Sequence, residues 1–225
     1  MIRFENLTKS FWVNGKRKVV IDNLHMTLPT GQSLGLLGLN GAGKSTLMQI
    51  IAGTMHADTG QVVSDGSISW PVGFAGSFHG DLTGAQNVVF IARIYGVDSE
   101  ALVDFVEDFC ELGPHFHAPV RTYSSGMRAR LTFGASMGVQ FDTYLIDEVT
   151  AVGDAAFKAK SRKLFLSRVE NASAILVSHD MGQMRNFCDA GIVLHEGKLQ
   201  LFDDINIAID VHLENIARTA REVGS

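Results

Sequence analysis

The residues with most chemistry to offer are Gly38-Leu39-Asn40-Gly41-Ala42-Gly43-Lys44-Ser45-Thr46. Glycines so spaced let successive backbone N–H groups turn inward on an anion, and a helix opening directly behind them adds the positive end of its dipole. A lysine closing such a turn reaches terminal phosphates, and the hydroxyl beside it is a ligand for a hard cation. The pattern therefore assigns Gly38, Asn40, Gly41, Ala42, Gly43, Lys44, Ser45 and Thr46 to a nucleotide's phosphate chain, with Lys44 on the β- and γ-phosphates and Ser45 on Mg²⁺. An ordinary glycine-rich turn is the plainer alternative, and the flanks weigh against it. Ser33-Leu34-Gly35-Leu36-Leu37 reads as a buried strand and Leu47-Met48-Gln49-Ile50-Ile51-Ala52 as a buried helix, the context such a loop requires.

About a hundred residues further on, Tyr144-Leu145-Ile146-Asp147-Glu148 is an apolar strand ending in two acids. In an open parallel sheet the carboxyl ends of strands border the crevice where ligands bind. Asp147 is placed to hold Mg²⁺ through water, and Glu148 to polarise an attacking water. Another buried strand, Ala174-Ile175-Leu176-Val177, ends in Ser178-His179-Asp180; set beside the strand of Asp147, it brings His179 to the γ-phosphate. Arg121-Thr122-Tyr123-Ser124-Ser125-Gly126 opens a helix whose less polar side carries Met127, Leu131, Gly134, Ala135 and Met137. Its serines and glycine suit either an N-cap or a set of donors for an anion, and spacing does not choose between the two.

Several elements must position these groups. Residues 2–11 read as extended, Asn14-Gly15 marks a turn, and Val19-Val20-Ile21, Leu24, Met26 and Leu28 form a second strand. Phe11 or Trp12 on this β-rich start could lie under an adenine ring. Beyond Asp58-Thr59-Gly60, short strands are expected around Gln61-Val62-Val63 and Ser67-Ile68-Ser69-Trp70, then a glycine-rich connection. Helical spacing follows at about 84–95 and 99–112. In the second, Leu102, Phe105, Val106, Phe109 and Leu112 make an apolar face while Glu100, Asp104, Glu107, Asp108 and Glu111 stay in water. Gly153-Asp154 leads into a helix through Leu166 that carries Lys158, Lys160, Arg162 and Lys163. The chain finishes with a strand over 190–194, a turn at Glu196-Gly197-Lys198 and an amphipathic helix over about 204–218.

A chain of 225 residues, 46% of them hydrophobic, buries a sizeable core and suits one domain with an inserted subdomain. A net charge of −5 argues against a nucleic-acid partner. Cys110 and Cys188 lie far apart and flank no metal spacing, so they read as buried thiols of a reducing compartment. His115 and His117 lack further ligands nearby. No signal peptide and no run of ~20 apolar residues is visible, so a membrane connection is expected to go through a partner.

Together these segments resemble the nucleotide-binding subunit of ABC transporters, over nearly the whole chain. Gly38 to Thr46 matches the Walker A motif, Tyr144 to Glu148 matches Walker B with its catalytic glutamate, Ala151-Val152-Gly153-Asp154 stands at the D-loop, and His179 at the switch histidine. Tyr123-Ser124-Ser125-Gly126-Met127 occupies the place of the signature LSGGQ, departing at three of five positions while keeping Ser124 and Gly126. The resemblance implies an α/β fold: a P-loop NTPase (RecA-like) core with an antiparallel β subdomain and an inserted α-helical subdomain. Residues 1–73 and 123–203 would form the β subdomain and core, 74–122 the helical subdomain, and 204–225 a C-terminal helix and tail. It also makes Phe11 the adenine-stacking aromatic. The family's Q-loop glutamine is missing after the strand near Val72, which leaves Ser77 or His79 to take its place.

Within that family, YSSGM, the run Asp-Glu-Val-Thr-Ala-Val-Gly-Asp-Ala-Ala-Phe, and Phe-His-Gly-Asp-Leu-Thr-Gly look like ATPases that export bacterial surface polysaccharides, and Ser69-Trp70-Pro71-Val72-Gly73 with the short tail looks specifically like the capsular polysaccharide exporter ATPase. O-antigen or teichoic-acid exporters are the neighbouring alternatives. The implied cofactors are ATP and Mg²⁺. The implied partners are a second copy of the chain, with Ser124 and Gly126 of one copy covering the γ-phosphate held by Lys44 of the other, and an integral-membrane permease received on about 74–122. That places the protein peripherally on the cytoplasmic face of the bacterial inner membrane. A soluble ABC ATPase acting on DNA or ribosomes is the competing class. Its DNA-repair members carry long coiled-coil insertions between the Walker motifs, for which this chain has no room.

Overall fold

The alternating apolar residues at the start of the chain close into a long hairpin. In the computed structural model, which describes residues 1–72, 78–147 and 154–223, β1 (Ile2–Val13) pairs antiparallel with β2 (Lys16–Leu28). Asn14 and Gly15 turn the chain at φ 50° and 74°, the left-handed pair that matches strand twist in a two-residue hairpin. After β3 (Ser33–Gly38) and α1 (Lys44–Ile51), β4 (Thr59–Ser64) adds to the free edge of β1 and completes a three-stranded antiparallel sheet.

The second sheet has five strands. Its order is β5 (Thr143–Asp147), β6 (Ser173–Val177), β3, β7 (Ala190–His195) and β8 (Lys198–Phe202). The first four run parallel and β8 returns antiparallel to β7. Strands buried on both faces need continuous apolar runs, which Ala174-Ile175-Leu176-Val177 and Leu34 to Leu37 supply. Ile2, Phe4, Leu7 and Ile21 of the antiparallel sheet share one core with Leu34 and Leu36, Leu47 and Met48 of α1, and Ile175 and Ile192. Over β3 and β7 lies α7 (Ile205–Val223), seated where glycines replace side chains. A Cβ on Gly191 would overlap that of Ala208, and one on Gly35 would lie 2.7 Å from Ile205 Cδ1.

The chain divides into two units, Met1–Pro71 with Phe141–Glu148 and Ala172–Ser225, and Val72–Gln140 with Val149–Asn171. The second is helical. α2 (Gly84–Tyr95) starts in a capping box, in which Thr83 Oγ1 accepts from Gln86 N and Gln86 Oε1 accepts from Thr83 N. α3 (Ser99–Cys110) is capped by Asp98 and α5 (Ala155–Val169) by Asp154. Phe109 stacks on Phe133 with centroids 5.8 Å apart and meets Phe157 edge-on at 5.3 Å. α4 (Ser125–Gly138) buries every residue from Leu131 to Met137 rather than one stripe. Packed against α2, α3 and α5, it has no wet side over that span.

Three local features depart from the sequence expectation. The strand expected at 67–70 reduces to a single bridge, Ile68 to Thr143. Side chains add to the two backbone bonds of that bridge: Asp142 Oδ2 accepts from the N–H and hydroxyl of Ser67, 2.7 Å each, and Ser69 Oγ accepts from Leu145 N at 2.9 Å. β8 follows the Glu196-Gly197 turn where no strand was expected, and α6 (Met181–Phe187) is too short to leave a periodic pattern. Both cysteines are free and buried, and burial pushes each thiol up to about 12.

Candidate functional site

The phosphate loop leaves the carboxyl end of β3, between the parallel neighbours β6 and β7. Gly41 at φ 74° and Gly43 at φ 110° hold backbone that a side chain would strain, and a Cβ at Gly43 would press on Val20 Cβ at 3.1 Å. Gly43 is also the N-cap of α1 and supplies no capping side chain, so the first N–H groups of that helix are left to a ligand. Lys44 Nζ donates to the carbonyls of Gly38, at 2.7 Å, and Leu39, at 3.2 Å, folding its charge back over the loop. Ala42 packs against the core, and Gly38 acts through its carbonyl.

The parallel register brings the distant groups to this edge. Ser45 Oγ donates to Asp147 Oδ2 at 3.5 Å, although 102 positions separate them. Asp147 pairs with Val177, so His179 stands two residues past the neighbouring strand end. Phe11, Val13, Lys18, Val20, Asn40, Gly41, Gly43, Lys44, Ser45, Thr46, Asp147, Val177 and His179 line one cleft of about 560 Å³. That volume suits a ligand of nucleotide size. The hydroxyl and the carboxylate are hard oxygen donors of the kind Mg²⁺ takes, one or two from protein and the rest from phosphates and water. Among the described residues no group of three or more His, Cys, Asp or Glu could cage a metal by itself.

Of the two aromatics considered for a base, Phe11 faces the cleft, half-buried, with Lys9 Nζ 5.3 Å from its ring centroid. Trp12 points away and is 76% exposed. Lys18, Val13 and Val20 were not anticipated as lining residues. The signal lay in the Asn14-Gly15 turn, which sets 11 opposite 18 and 13 opposite 16 across the hairpin. Glu148, Ser77 and the D-loop residues Ala151 to Gly153 lie outside the described residues.

The remaining candidates belong to the helical unit. Tyr123 is buried, its hydroxyl donates to Phe116 O at 3.1 Å, and burial pushes its phenol above the usual range. Ser124 caps α4, its Oγ accepting from Met127 N at 3.2 Å, while Ser124, Ser125 and Gly126 are exposed and Met127 is half-buried. Asp154 accepts from Phe157 N and from Arg130 Nη2, both at 2.9 Å; these hydrogen bonds, the first above all, hold its carboxyl below the usual range. His79 sits in the turn before α2, its N–H donating to Asn87 Oδ1 at 2.8 Å and its Nδ1 accepting from Asp81 N.

Comparison with known proteins agrees with this geometry. The family model described as "ABC transporter" matches residues 21–151. The polysialic acid transport ATP-binding protein KpsT of Escherichia coli is 49% identical over 212 residues, covering 93% of this chain and 97% of its own. The capsule polysaccharide export ATP-binding protein CtrD of Neisseria meningitidis serogroup B is 42% identical, covering 94% and 98%. A dimeric post-hydrolysis structure of the ATP-binding cassette MJ0796, bound to ADP and Pi, shares the fold with a TM-score of 0.71 at 20% identity, over 89% of this chain and 98% of that one. Identity at this level along nearly the full length of both relatives reflects descent, and with the family model it places this ATP-binding chain among the ATPases of the ABC transporter family.

Proposed function

We propose that the protein is the ATP-hydrolysing subunit of a capsular polysaccharide exporter, driving the polymer across the bacterial inner membrane through a partner permease. The approach of Ser45 to Asp147 at the mouth of the phosphate loop carries the ATPase part. The cargo rests on what KpsT and CtrD are named for.

Adenine lies on Phe11, and the triphosphate runs along the N–H groups from Asn40 to Thr46. Lys44 exchanges the carbonyls of Gly38 and Leu39 for the β- and γ-phosphates, replacing neutral hydrogen bonds by charge-assisted ones. The Ser45 hydroxyl, directly, and Asp147, through water, would hold Mg²⁺, which would supply charge neutralisation at the phosphates. Glu148 takes the proton of the attacking water, His179 hydrogen-bonds the γ-phosphate, and Ser77 or His79 fills the Q-loop position.

Phosphoryl transfer depends mainly on positioning and charge neutralisation. A second copy supplies what one chain lacks: Ser124 and Gly126, exposed at the head of α4, cover the γ-phosphate held by the other chain's Lys44, beside Asp154 of the D-loop. Tyr123 and Met127 anchor that segment from behind. Loss of the γ-phosphate removes the charge joining the copies, and they part. Residues 74–122 receive a permease helix, so opening and closing move the membrane subunit. Among the described residues no helix is long and apolar enough to cross a membrane, and attachment to the cytoplasmic face goes through the permease.

The test is co-expression with the cognate permease in an encapsulated strain lacking the native subunit. Wild type should fractionate with the inner membrane only when the permease is present and restore surface polysaccharide. Lys44→Ala should still fractionate with the permease and leave the surface bare. Capsule at wild-type level on Lys44→Ala would overturn the proposal.

A further inference from the structure

Lys18 stands directly opposite Phe11 in the β1–β2 register. Residues opposed across a hairpin project to the same side, and both of these line the nucleotide cleft. The adjacent pair, Trp12 and Arg17, takes no part in that lining; Arg17 Nε donates to Ser10 Oγ at 3.1 Å instead. The Lys18 ammonium reaches the crown of the phosphate loop, where it donates to the Gly41 carbonyl at 3.0 Å.

Lys9, two residues before Phe11 on its strand, and Lys18, opposite it across the hairpin, differ in their partners. Lys9, 5.3 Å from the ring centroid, is neutralised by Asp58 at 2.9 Å. Lys18 faces a neutral carbonyl and, among the described residues, no carboxylate within ion-pair distance. An ammonium carries three donors, and the Gly41 carbonyl takes up one of them. A nucleotide with its base on Phe11 and its terminal phosphates at Lys44 must lay its α-phosphate between the two, on the hairpin side of the loop. Lys18 is the lysine that lines the cleft there.

We propose that Lys18 is a substrate-binding residue of this cleft, its ammonium taking the α-phosphate of the bound nucleotide while keeping the hairpin of Phe11 tied to Gly41. The inference rests on the ATPase function proposed above and adds to it a cation that no phosphate-loop pattern contains. On this reading the lysine serves both ends of the ligand: the base through the hairpin and the phosphates through its charge.

The test is calorimetric titration of ATP and ADP into wild type, Lys18→Met and Lys18→Arg, with steady-state ATPase rates on the same preparations. Both nucleotides carry an α-phosphate, so Lys18→Met should weaken them by the same factor, about 5- to 10-fold at low salt, the range of a partly exposed charge-assisted contact. That factor should shrink in about 0.5 M salt, and the KM for ATP should rise with the loss of affinity. Lys18→Arg should restore affinity, because it keeps the charge. Lys18 is exposed, and equal melting temperatures of the ligand-free proteins check that the fold is kept. Unchanged affinity of Lys18→Met for both nucleotides overturns the role of Lys18 alone. So does a loss confined to ATP, or a salt-independent loss. Failure of the wild type itself to bind ATP overturns the ATPase proposal together with this one.

Discussion

Ser45 and Asp147 face one another across 3.5 Å, hydroxyl to carboxylate, because β3 and β5 end on the same edge of a parallel sheet with only β6 between them. On the proposed mechanism the pair would hold a divalent ion beside the terminal phosphates.

Asp147→Asn should therefore leave metal-free ATP binding within about twofold of wild type and lower Mg²⁺-supported turnover by ~10²-fold, the scale of losing one preorganised electrostatic contact. Glu148→Gln should keep binding and lose turnover by a similar factor or more, as expected for a missing base. Titration of ATPase rate against Mg²⁺ separates the two: Asp147→Asn should need more metal, Glu148→Gln should not.

Ser124→Arg places a long cation on the exposed head of α4 and loses the cap to Met127 N, and on the proposed pairing it would crowd the second copy. ATP affinity of the monomer should be unchanged, and ATP-dependent dimerisation of a Glu148→Gln background, read by light scattering, should disappear. Dimer formation at wild-type nucleotide concentrations would argue against a shared site.

Gly191→Ala should cost roughly 1–3 kcal/mol, the usual range for overpacking, since its Cβ would collide with Ala208 on α7. At about 2–4 °C per kcal/mol for a chain of this size, thermal melting resolves it. Ala208→Gly in the same chain should recover part of the loss, which an unrelated destabilisation would not allow.

Asp58 ties the end of the α1 connection to β1, accepting from Ser10 Oγ and Ser10 N at 2.7 Å each and from Lys9 Nζ at 2.9 Å. The Ser10 hydroxyl first, then Lys9, hold its carboxyl down at about 2, against an ordinary 3.8. The folded state thus binds its proton less readily than the unfolded one, so the contribution is full above 3.8 and is lost as pH falls towards 2. In urea unfolding at pH 7, Asp58→Asn should show a lower midpoint than wild type, and the gap between the two should close between pH 4 and pH 2.

The helices expected at about 84–95 and 99–112 were legible in the sequence because caps and 3.6-residue spacing are local, although the second ends at Cys110 and leaves Leu112 outside it. Thr83 with Gln86, and Asp98 before Leu102 and Val106, state their boundaries outright. α4 was legible in extent and not in burial, since Leu131 to Met137 have no wet side only because three other helices surround them. The segment 67–70 has strand-like residues, and Asp142, far along the chain, takes both Ser67 donors while Ser69 N keeps a backbone partner in Thr143 O.

By itself the sequence determined the phosphate loop. Glycine spacing, lysine and hydroxyl act through contiguous backbone, and a strand before with a helix behind leaves that backbone one way to run. Tertiary structure alone decided that Phe11 and not Trp12 meets the cleft, that Lys18 joins it, and that Ser45 finds Asp147. Neighbours on a strand point to opposite faces, so which one is used depends on what the sheet packs against. Partners 102 positions apart meet only through the order in which the strands are laid down.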